Sequence, residues 1–277
     1  MTFTRYADPQ VFYDQALPLL VAHEAENNLM LGIGARIAKD KHHYSNSDPI
    51  LGIAFVHGEP RGAVLMTPPH RLALTRMPPA MVAHIAGQLA NDGISLPGVL
   101  GPKETAADLV AAWLECTGQR AELTQSMRIY QLNHVLPVPT VPGRCVEAGM
   151  DDRETLLNWM PSYFASVGER TSSVDELVRQ YIADKNAYLW KIDIAVSMAA
   201  SASPTPNGIR INNVYTPPEC RNRGYATANV VALSQRMLDT GRRFCFLYTD
   251  LANPTSNSIY QKIGYRPVCD ADAYRIA

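Results

Sequence analysis

The sequence predicts an α/β (α+β) protein with a mixed central sheet flanked by helices, arranged in two halves of similar size. Three observations carry this reading. Short apolar runs rich in Val, Ile, Tyr and Phe alternate with longer segments whose apolar residues recur at helical spacing, as in strands and helices that share a sheet. Hydrophobic residues make up 47% and charged residues 18% of the 277, enough to bury a core and too little charge for a disordered chain. Finally, Val135-Leu-Pro-Val-Pro-Thr-Val-Pro-Gly143 holds three prolines in nine residues, which fix φ and remove backbone donors, so it reads as an extended connector. The expected organisation is an N-terminal domain over 1–134, a linker over 135–144 and a second domain over 145–277.

In the first half, Asp8-Pro9 opens a helix, with an acceptor side chain at the cap and a proline where no amide is needed. Strands are expected near 50–57, 62–66 and 71–76, helices near 79–91 and 103–116, and a closing strand near 127–132. In the second half, Asp152 caps a helix running to about Val167, with Leu156, Leu157, Met160 and Phe164 on its apolar face. Ser173-Val-Asp-Glu176 has the spacing of a capping box and starts a helix that ends near Asp184. Residues 187–192 and 194–200 read as strands around Asp193, and Pro204-Thr-Pro-Asn-Gly208 turns the chain into a strand over 209–215. After Pro217-Pro218 comes a helix over 224–240 with Ala226, Val230, Leu233 and Met237 in register, stopped by Gly241. A buried strand over 244–249 follows, then a short helix from Asn253-Pro254 to Gly264, and strands over 265–269 and 274–276. The first half echoes this order, so the halves are expected to repeat one unit.

Composition excludes several functions. With 25 basic and 26 acidic residues the net charge is −1, without the basic stripe that a nucleic-acid partner requires. No apolar run approaches the roughly 18 residues of a membrane span, and residues 1–6 lack the pattern of a secretory signal, so a cytoplasmic protein is expected. The five cysteines, Cys116, Cys145, Cys220, Cys245 and Cys269, are scattered without a C-x-x-C pair and read as reduced thiols. His42-His43 have no partner at ligand spacing, so no metal is expected.

The sharpest signal is Val214-Tyr-Thr-Pro-Pro-Glu-Cys-Arg-Asn-Arg-Gly-Tyr-Ala226. A strand ends, a proline-broken loop turns, and Arg221-x-x-Gly224-x-Ala226 opens a long helix. That arrangement points free amides and the positive end of a helix dipole at one spot. Gly224 and Ala226 let an anion approach the backbone, and Arg221 or Arg223 adds charge, so a pyrophosphate fits. An ordinary strand–loop–helix with two solvent-facing arginines would leave the same local trace. A second segment, Asn253-Pro-Thr-Ser-Asn-Ser-Ile-Tyr-Gln-Lys-Ile-Gly-Tyr265, lies at the next strand–helix junction.

Over residues 187–270 these two segments resemble the GNAT acyltransferase superfamily, specifically bacterial members with a GNAT-like N-terminal half. The Arg221-x-x-Gly224-x-Ala226 loop is similar to its pyrophosphate-binding motif, and residues 253–265 to its N-x-x-[AS]-x-x-[LI]-Y-x-K-x-G-[FY] segment. The resemblance implies acetyl-coenzyme A as co-substrate and transfer of its acetyl group to an amine, a small molecule or a peptide, by a monomer or homodimer. It implies that the backbone of Val214 and Tyr215 pairs with the pantetheine amides. The amides of Asn222, Arg223, Gly224, Tyr225 and Ala226 hold the pyrophosphate with Arg221 beside them, and Asn253 touches pantetheine where the two parallel strands diverge. Tyr260 protonates the departing thiolate. The acceptor would be gripped near Trp159, Tyr163 and Phe164.

Each role has a structural counterpart from another cause. Asn253 suits a plain helix cap, Tyr260 packs on the core side with Ile263, and Lys262 is a surface charge. A general base is the missing part: all seven histidines precede the linker, and Glu219 reads as an exposed loop carboxylate. In the first half Thr67-Pro-Pro-His-Arg71 echoes Thr216-Pro-Pro-Glu-Cys220, but no R-x-x-G-x-A follows, so one cofactor per chain is expected. A non-catalytic acyl-CoA-binding module is the alternative; it needs the phosphate loop but not a thiolate acid.

Overall fold

The computed structural model describes residues 1–168 and 173–277, leaving the side chains of Thr255 and Ser256 outside the described set. The chain forms two compact units, Met1–Ile129 with Val268–Ala277, and Tyr130–Pro267. The boundary expected at 134/145 is thus displaced, and the C-terminal strand belongs with the first unit instead of closing the second.

The first unit runs β1 (Thr2–Tyr6), α1 (Pro9–Ala22), α2 (Asn28–Lys39), β2 (Ile50–Val56), β3 (Glu59–Met66), β4 (Leu72–Leu74), α3 (Pro79–Asn91), β5 (Gly98–Pro102), α4 (Lys103–Thr117) and β6 (Ala121–Leu132). The last three residues of β6 fall in the second unit. As expected, Asp8 caps α1, its carboxylate accepting from the amides of Gln10 at 2.8 Å and Val11 at 3.3 Å. Neighbouring strands are antiparallel except β4 and β5, which are parallel.

The second unit repeats that order: β7 (Arg144–Glu147), α5 (Arg153–Ser166), α6 (Val174–Ala183), β8 (Ala187–Lys191), β9 (Ala195–Ala202), β10 (Gly208–Tyr215), α7 (Tyr225–Asp239), β11 (Phe244–Asp250), α8 (Pro254–Ile263) and β12 (Arg266–Ile276). Its strands lie in the order β11-β10-β9-β8-β7, again antiparallel except for the parallel pair β10/β11. The predicted repeat is therefore present, and the sheets are mixed and flanked by helices. From Val268 onward β12 leaves the second unit and pairs with β5, Ala271 opposite Pro102 through Arg275 opposite Gly98.

Three local expectations change. The predicted break at 270–273 does not form, and β12 is continuous, because its polar residues are satisfied laterally. Arg128 donates two hydrogen bonds to Asp270, at 2.6 and 2.9 Å, and Ser126 donates to Asp272 at 2.8 Å. Only half of the capping box is realised: Ser173 accepts from the amide of Glu176 at 3.2 Å, while the Glu176 carboxylate pairs with Arg179. Asp152 likewise does not cap α5 itself; its carboxylate takes the Gly149 amide at 3.1 Å and the Lys191 ammonium.

The proline-rich segment is not a free linker. It is docked along the second unit without regular secondary structure. The Leu136 amide donates to the Ile263 carbonyl at 2.8 Å, and Val135 and Val138 pack on the α7/α8 core. At the other end the Trp190 indole donates to the Pro142 carbonyl at 2.9 Å, and Val141 joins Trp190, Tyr225 and Ala228 in one apolar cluster. Prolines suit this role because an extended strap in no ladder needs few amide donors.

Candidate functional site

Two faces of β10 meet different helices. Ile209, Ile211 and Val214 turn to the core beneath α7 and α8, which also holds Cys245, Leu247, Tyr260 and Ile263. Tyr215 turns to the opposite core, with Leu156, Met160 and the aromatic residues of α5. Strict alternation would put odd positions on one face throughout. It is broken at Asn213, whose φ of 50° marks an irregularity in the pairing with β9 between Asn212 and Tyr215.

The parallel partners separate along the same stretch. β10 and β11 are in register over three residue pairs, Gly208 with Phe244, Ile209 with Cys245, and Arg210 with Phe246. Beyond Arg210 they have no pairing, and Asn213 and Val214 have no partner on β9 either. Val214 thus carries main-chain groups toward an open gap. Tyr215 is more engaged, because its carbonyl accepts from the Ser197 hydroxyl at 3.1 Å, which in turn accepts from Thr216 at 3.0 Å.

At the mouth of the gap the chain makes a short 3-10 turn at Pro218–Cys220 and then the loop predicted to hold an anion. Asn222 has φ 60° and Gly224, the N-cap of α7, has φ 82°. This pair of left-handed residues keeps the amides from folding into a turn of their own. The first helical bond comes from Ala228 to the Gly224 carbonyl at 2.9 Å, and no side chain caps the helix. Among the described residues the amides of Asn222, Arg223, Gly224, Tyr225, Ala226 and Thr227 make no hydrogen bond. Residues 221–224 are exposed, while Tyr225 is buried and anchors the turn. Free N–H groups at a helix N-terminus are the kind of donor set that suits an anion.

The arginines divide their work. Arg221 folds back, its Nε donating to the Thr216 carbonyl at 3.0 Å and its guanidinium lying 6.0 Å from the centre of the Tyr215 ring. It braces the loop against the end of β10. Arg223 is exposed and makes no ion pair among the described residues. Glu219 is exposed, as expected for a solvated loop carboxylate.

Tyr260 sits on the buried side of α8, with its ring 5.8 Å from that of Tyr265 in an edge-on contact. Its hydroxyl makes no hydrogen bond among the described residues. Burial, with a smaller contribution from Tyr163, pushes its pKa well above the ordinary tyrosine value, so it carries its proton throughout the neutral range. Asn253 is exposed before α8, its carbonyl accepting from the Asn257 amide at 3.2 Å. Asn257, which sequence reasoning missed, does more of the local bracing. Its Nδ2 donates to the carbonyls of Asp250 at 3.0 Å and Asn253 at 2.7 Å, and its Oδ1 accepts from the Tyr130 hydroxyl at 3.1 Å. Within the same segment Ser256 lies outside the described side chains.

The expected acceptor residues do come together. Trp159, Tyr163 and Phe164 are half-buried on α5, with the Trp159 ring 6.2 Å from Tyr215 and Tyr163 5.4 Å from Phe164. Tyr163 also lies near enough to Tyr260 to act on its ionisation.

With this geometry in view, residues 195–275 match the family model described as FR47-like protein, which is GNAT-related. Over those 81 residues the chain is similar to this GNAT-related family. Solved structures carry the same fold over the whole chain. A GCN5-related N-acetyltransferase from Sphaerobacter thermophilus is 15% identical with a TM-score of 0.66, covering 99% of this chain and 95% of its own. A GNAT-family acetyltransferase from Colwellia psychrerythraea is 12% identical with a TM-score of 0.58, covering 100% and 99%. A tandem GNAT protein from the clavulanic acid biosynthesis pathway is 12% identical with a TM-score of 0.53, covering 100% and 98%. No curated protein matches the sequence significantly. Among the described residues no helix is long and apolar enough to cross a membrane, and no group of three or more His, Cys, Asp or Glu is placed to hold a metal ion.

The first unit's counterpart of the loop is different. Thr67-Pro68-Pro69 follows β3, whereas Thr216-Pro217-Pro218 follows β10, whose positional equivalent is β4. The predicted echo is therefore one strand out of place. The true equivalent, between β4 and α3, reads Thr75-Arg-Met-Pro-Pro79, and α3 is entered through Pro78 at its N-cap and Pro79 at its first position, neither of which has an amide to offer.

Proposed function

We propose that the second unit binds acetyl-coenzyme A in the gap between β10 and β11 and transfers its acetyl group to an amine. The observation that carries this reading is the run of unbonded amides from Asn222 to Thr227, opening beside a strand pair that separates. The amides and Arg223 would hold the pyrophosphate, with Arg221 keeping the loop braced. The main chain at Val214 would extend the sheet by pairing with the pantetheine amides, and Tyr215 would contribute its amide side. Asn253 would border the pantetheine near the start of α8.

In the transfer itself, the amine nitrogen attacks the thioester carbonyl carbon, the C–S bond breaks, and the sulfur takes the Tyr260 hydroxyl proton. The amine's own surplus proton leaves to water, and Tyr260 is reprotonated from solvent. A protonated phenol suits this step, because a thiolate in the same buried surroundings also has a raised proton affinity. The two half-reactions use opposite sides of the sheet: Tyr260 approaches from the α8 side, and the acceptor from the side of Trp159, Tyr163 and Phe164. The first unit is a copy that has lost the cofactor site, so one coenzyme A is bound per chain.

Calorimetric titration with coenzyme A tests this directly. The expected result is one site per chain with heat and thermal protection; no heat and no protection at millimolar ligand would overturn the assignment. An amine panel with acetyl-CoA, read by thiol release and product mass, separates a transferase from a non-catalytic binder.

A further inference from the structure

On the acceptor side of β10 lies an unmet group that the reading above does not use. The irregularity at Asn213 sends two consecutive carboxamides to one face. Asn213 Nδ2 lies 3.6 Å from Met160 Sδ on α5, and Asn212 Nδ2 donates to the Tyr181 hydroxyl on α6 at 3.1 Å. With Nδ2 so fixed, Asn212 Oδ1 is buried and has no hydrogen-bond partner among the described residues. A buried carboxamide oxygen without a donor is a rare and costly arrangement in a folded chain. It lies two residues past the last β10/β11 pair and three before Tyr215, on the strand that borders the gap.

The surroundings define what would supply the donor. Trp159, Tyr163, Phe164, Tyr181 and Tyr215 are half-buried rings of the same cluster. The two arginines of the flanking helices, Arg153 and Arg179, are held by Asp175 and Glu176. Among the described residues of α5 and α6 no unpaired cation is left to bind a carboxylate, and Asp175 and Glu176 are themselves paired. Amino acids and polycations are both poorly matched by such a wall.

We infer that Asn212 Oδ1 accepts an N–H of the acceptor amine, and that the acceptor is a primary amine on an aromatic or alkyl skeleton with no second charge. The inference rests on the transferase reading and names its substrate class. One N–H held by Oδ1 orients the nitrogen lone pair toward the gap, while the skeleton lies against the rings. Tyr181 acts through Asn212: by holding Nδ2 it fixes which carboxamide atom faces the amine.

The test uses the full chain saturated with coenzyme A and 2-phenylethylamine as the probe, followed by calorimetry. The wild type binds the amine, and phenylalanine, which adds a carboxylate to the same skeleton, binds at least about ten-fold more weakly. Asn212→Ala weakens amine binding about ten-fold, the loss of one buried hydrogen bond. Asn212→Asp, which keeps an acceptor oxygen, restores it to within about three-fold or better. Coenzyme A affinity stays at the wild-type value in both variants, which a general disturbance of the fold would not allow. Unchanged amine binding in Asn212→Ala, or no binding of the amine to the loaded wild type, overturns the inference. Failure of the wild type to bind coenzyme A is a separate result that removes the transferase reading itself.

Discussion

Replacing Gly224 by alanine tests the cradle with two separable readouts. Gly224 holds φ at 82°, where an L-residue with a Cβ pays about 1 kcal/mol relative to glycine. The new Cβ would also stand 3.0 Å from Val141 Cγ1, so the strap or the turn must yield by a few tenths of an ångström. Together these predict a loss of about 1–2 kcal/mol and, for a chain of this size, a melting temperature lower by roughly 2–8 °C. Binding suffers separately. If relaxation of the turn misdirects even one amide, a charge-assisted bond of about 1.5–3 kcal/mol is lost and the Kd for coenzyme A rises at least about ten-fold. Gly241→Ala is the internal control at the far end of α7. Its φ is 92°, but a Cβ there meets nothing within 4 Å. It should lose comparable stability and keep wild-type affinity. Paired differential scanning and calorimetry read both quantities, and a Gly224→Ala protein that binds coenzyme A as tightly as Gly241→Ala would refute the cradle.

Two further outcomes follow from burial. Tyr260→Phe removes a hydroxyl with no hydrogen bond in the described structure, so it should leave folding and coenzyme A affinity near wild type and slow turnover about 10²-fold or more, as expected for loss of a general acid. Unchanged turnover would dismiss Tyr260 as the acid. The thiols supply a pH dependence: burial raises Cys145 to about 11 and Cys245 and Cys269 to about 12. A raised folded value means that the folded protein holds the proton longer than the unfolded chain. The stability tied to these thiols is therefore complete below the ordinary thiol range near pH 8.5–9 and is lost as pH rises toward 11–12. Iodoacetamide at pH 8 should label exposed Cys116 first and Cys245 only on unfolding; prompt labelling of Cys245 in the folded protein would contradict its burial.

Most of the second unit was legible in the sequence because its signals are local. Val230, Leu233 and Met237 mark α7 by spacing alone, and Asn253-Pro254 marks the start of α8. What escaped depends on distant residues. In β5, two glycines and a proline among five residues give no strand signature, and the element exists because β4 and β12 bracket it. Likewise α2, with Gly32 and Gly34 inside it, does not read as a helix; Gly34 is there because Tyr13 lies against it, 2.8 Å from where a Cβ would be. The continuity of β12 required Arg128 and Ser126, more than 140 residues away in the chain. The site divides along the same line. The loop proposed to hold the pyrophosphate is a matter of local backbone, whereas the role inferred for Asn212 appears only when α6 brings Tyr181 to it. A signal was present even so: two adjacent asparagines stand between Ile211 and Val214, and a pleated strand cannot bury both on one face without an irregularity.

Two units with one element order need not share one chemistry, and the difference can be traced to a few atoms. Both have a parallel strand pair joined through a helix, β10/β11 through α7 and β4/β5 through α3. In the second unit the helix is entered through Asn222 and Gly224, whose left-handed backbone leaves the first-turn amides unclaimed. In the first unit it is entered through Pro78-Pro79, which have no amides, and the Met77 amide is already bonded to Thr105 at 3.3 Å. Met77 and Met81 are buried, and the Met77 sulfur comes within 2.2 Å of where a Cβ at Gly62 would stand. Removing the prolines would restore two N–H groups but would leave Met77 and Met81 packed where they are. On the proposed function, the two repeats thus differ in packing as well as in donors, and no single substitution would convert one entry into the other.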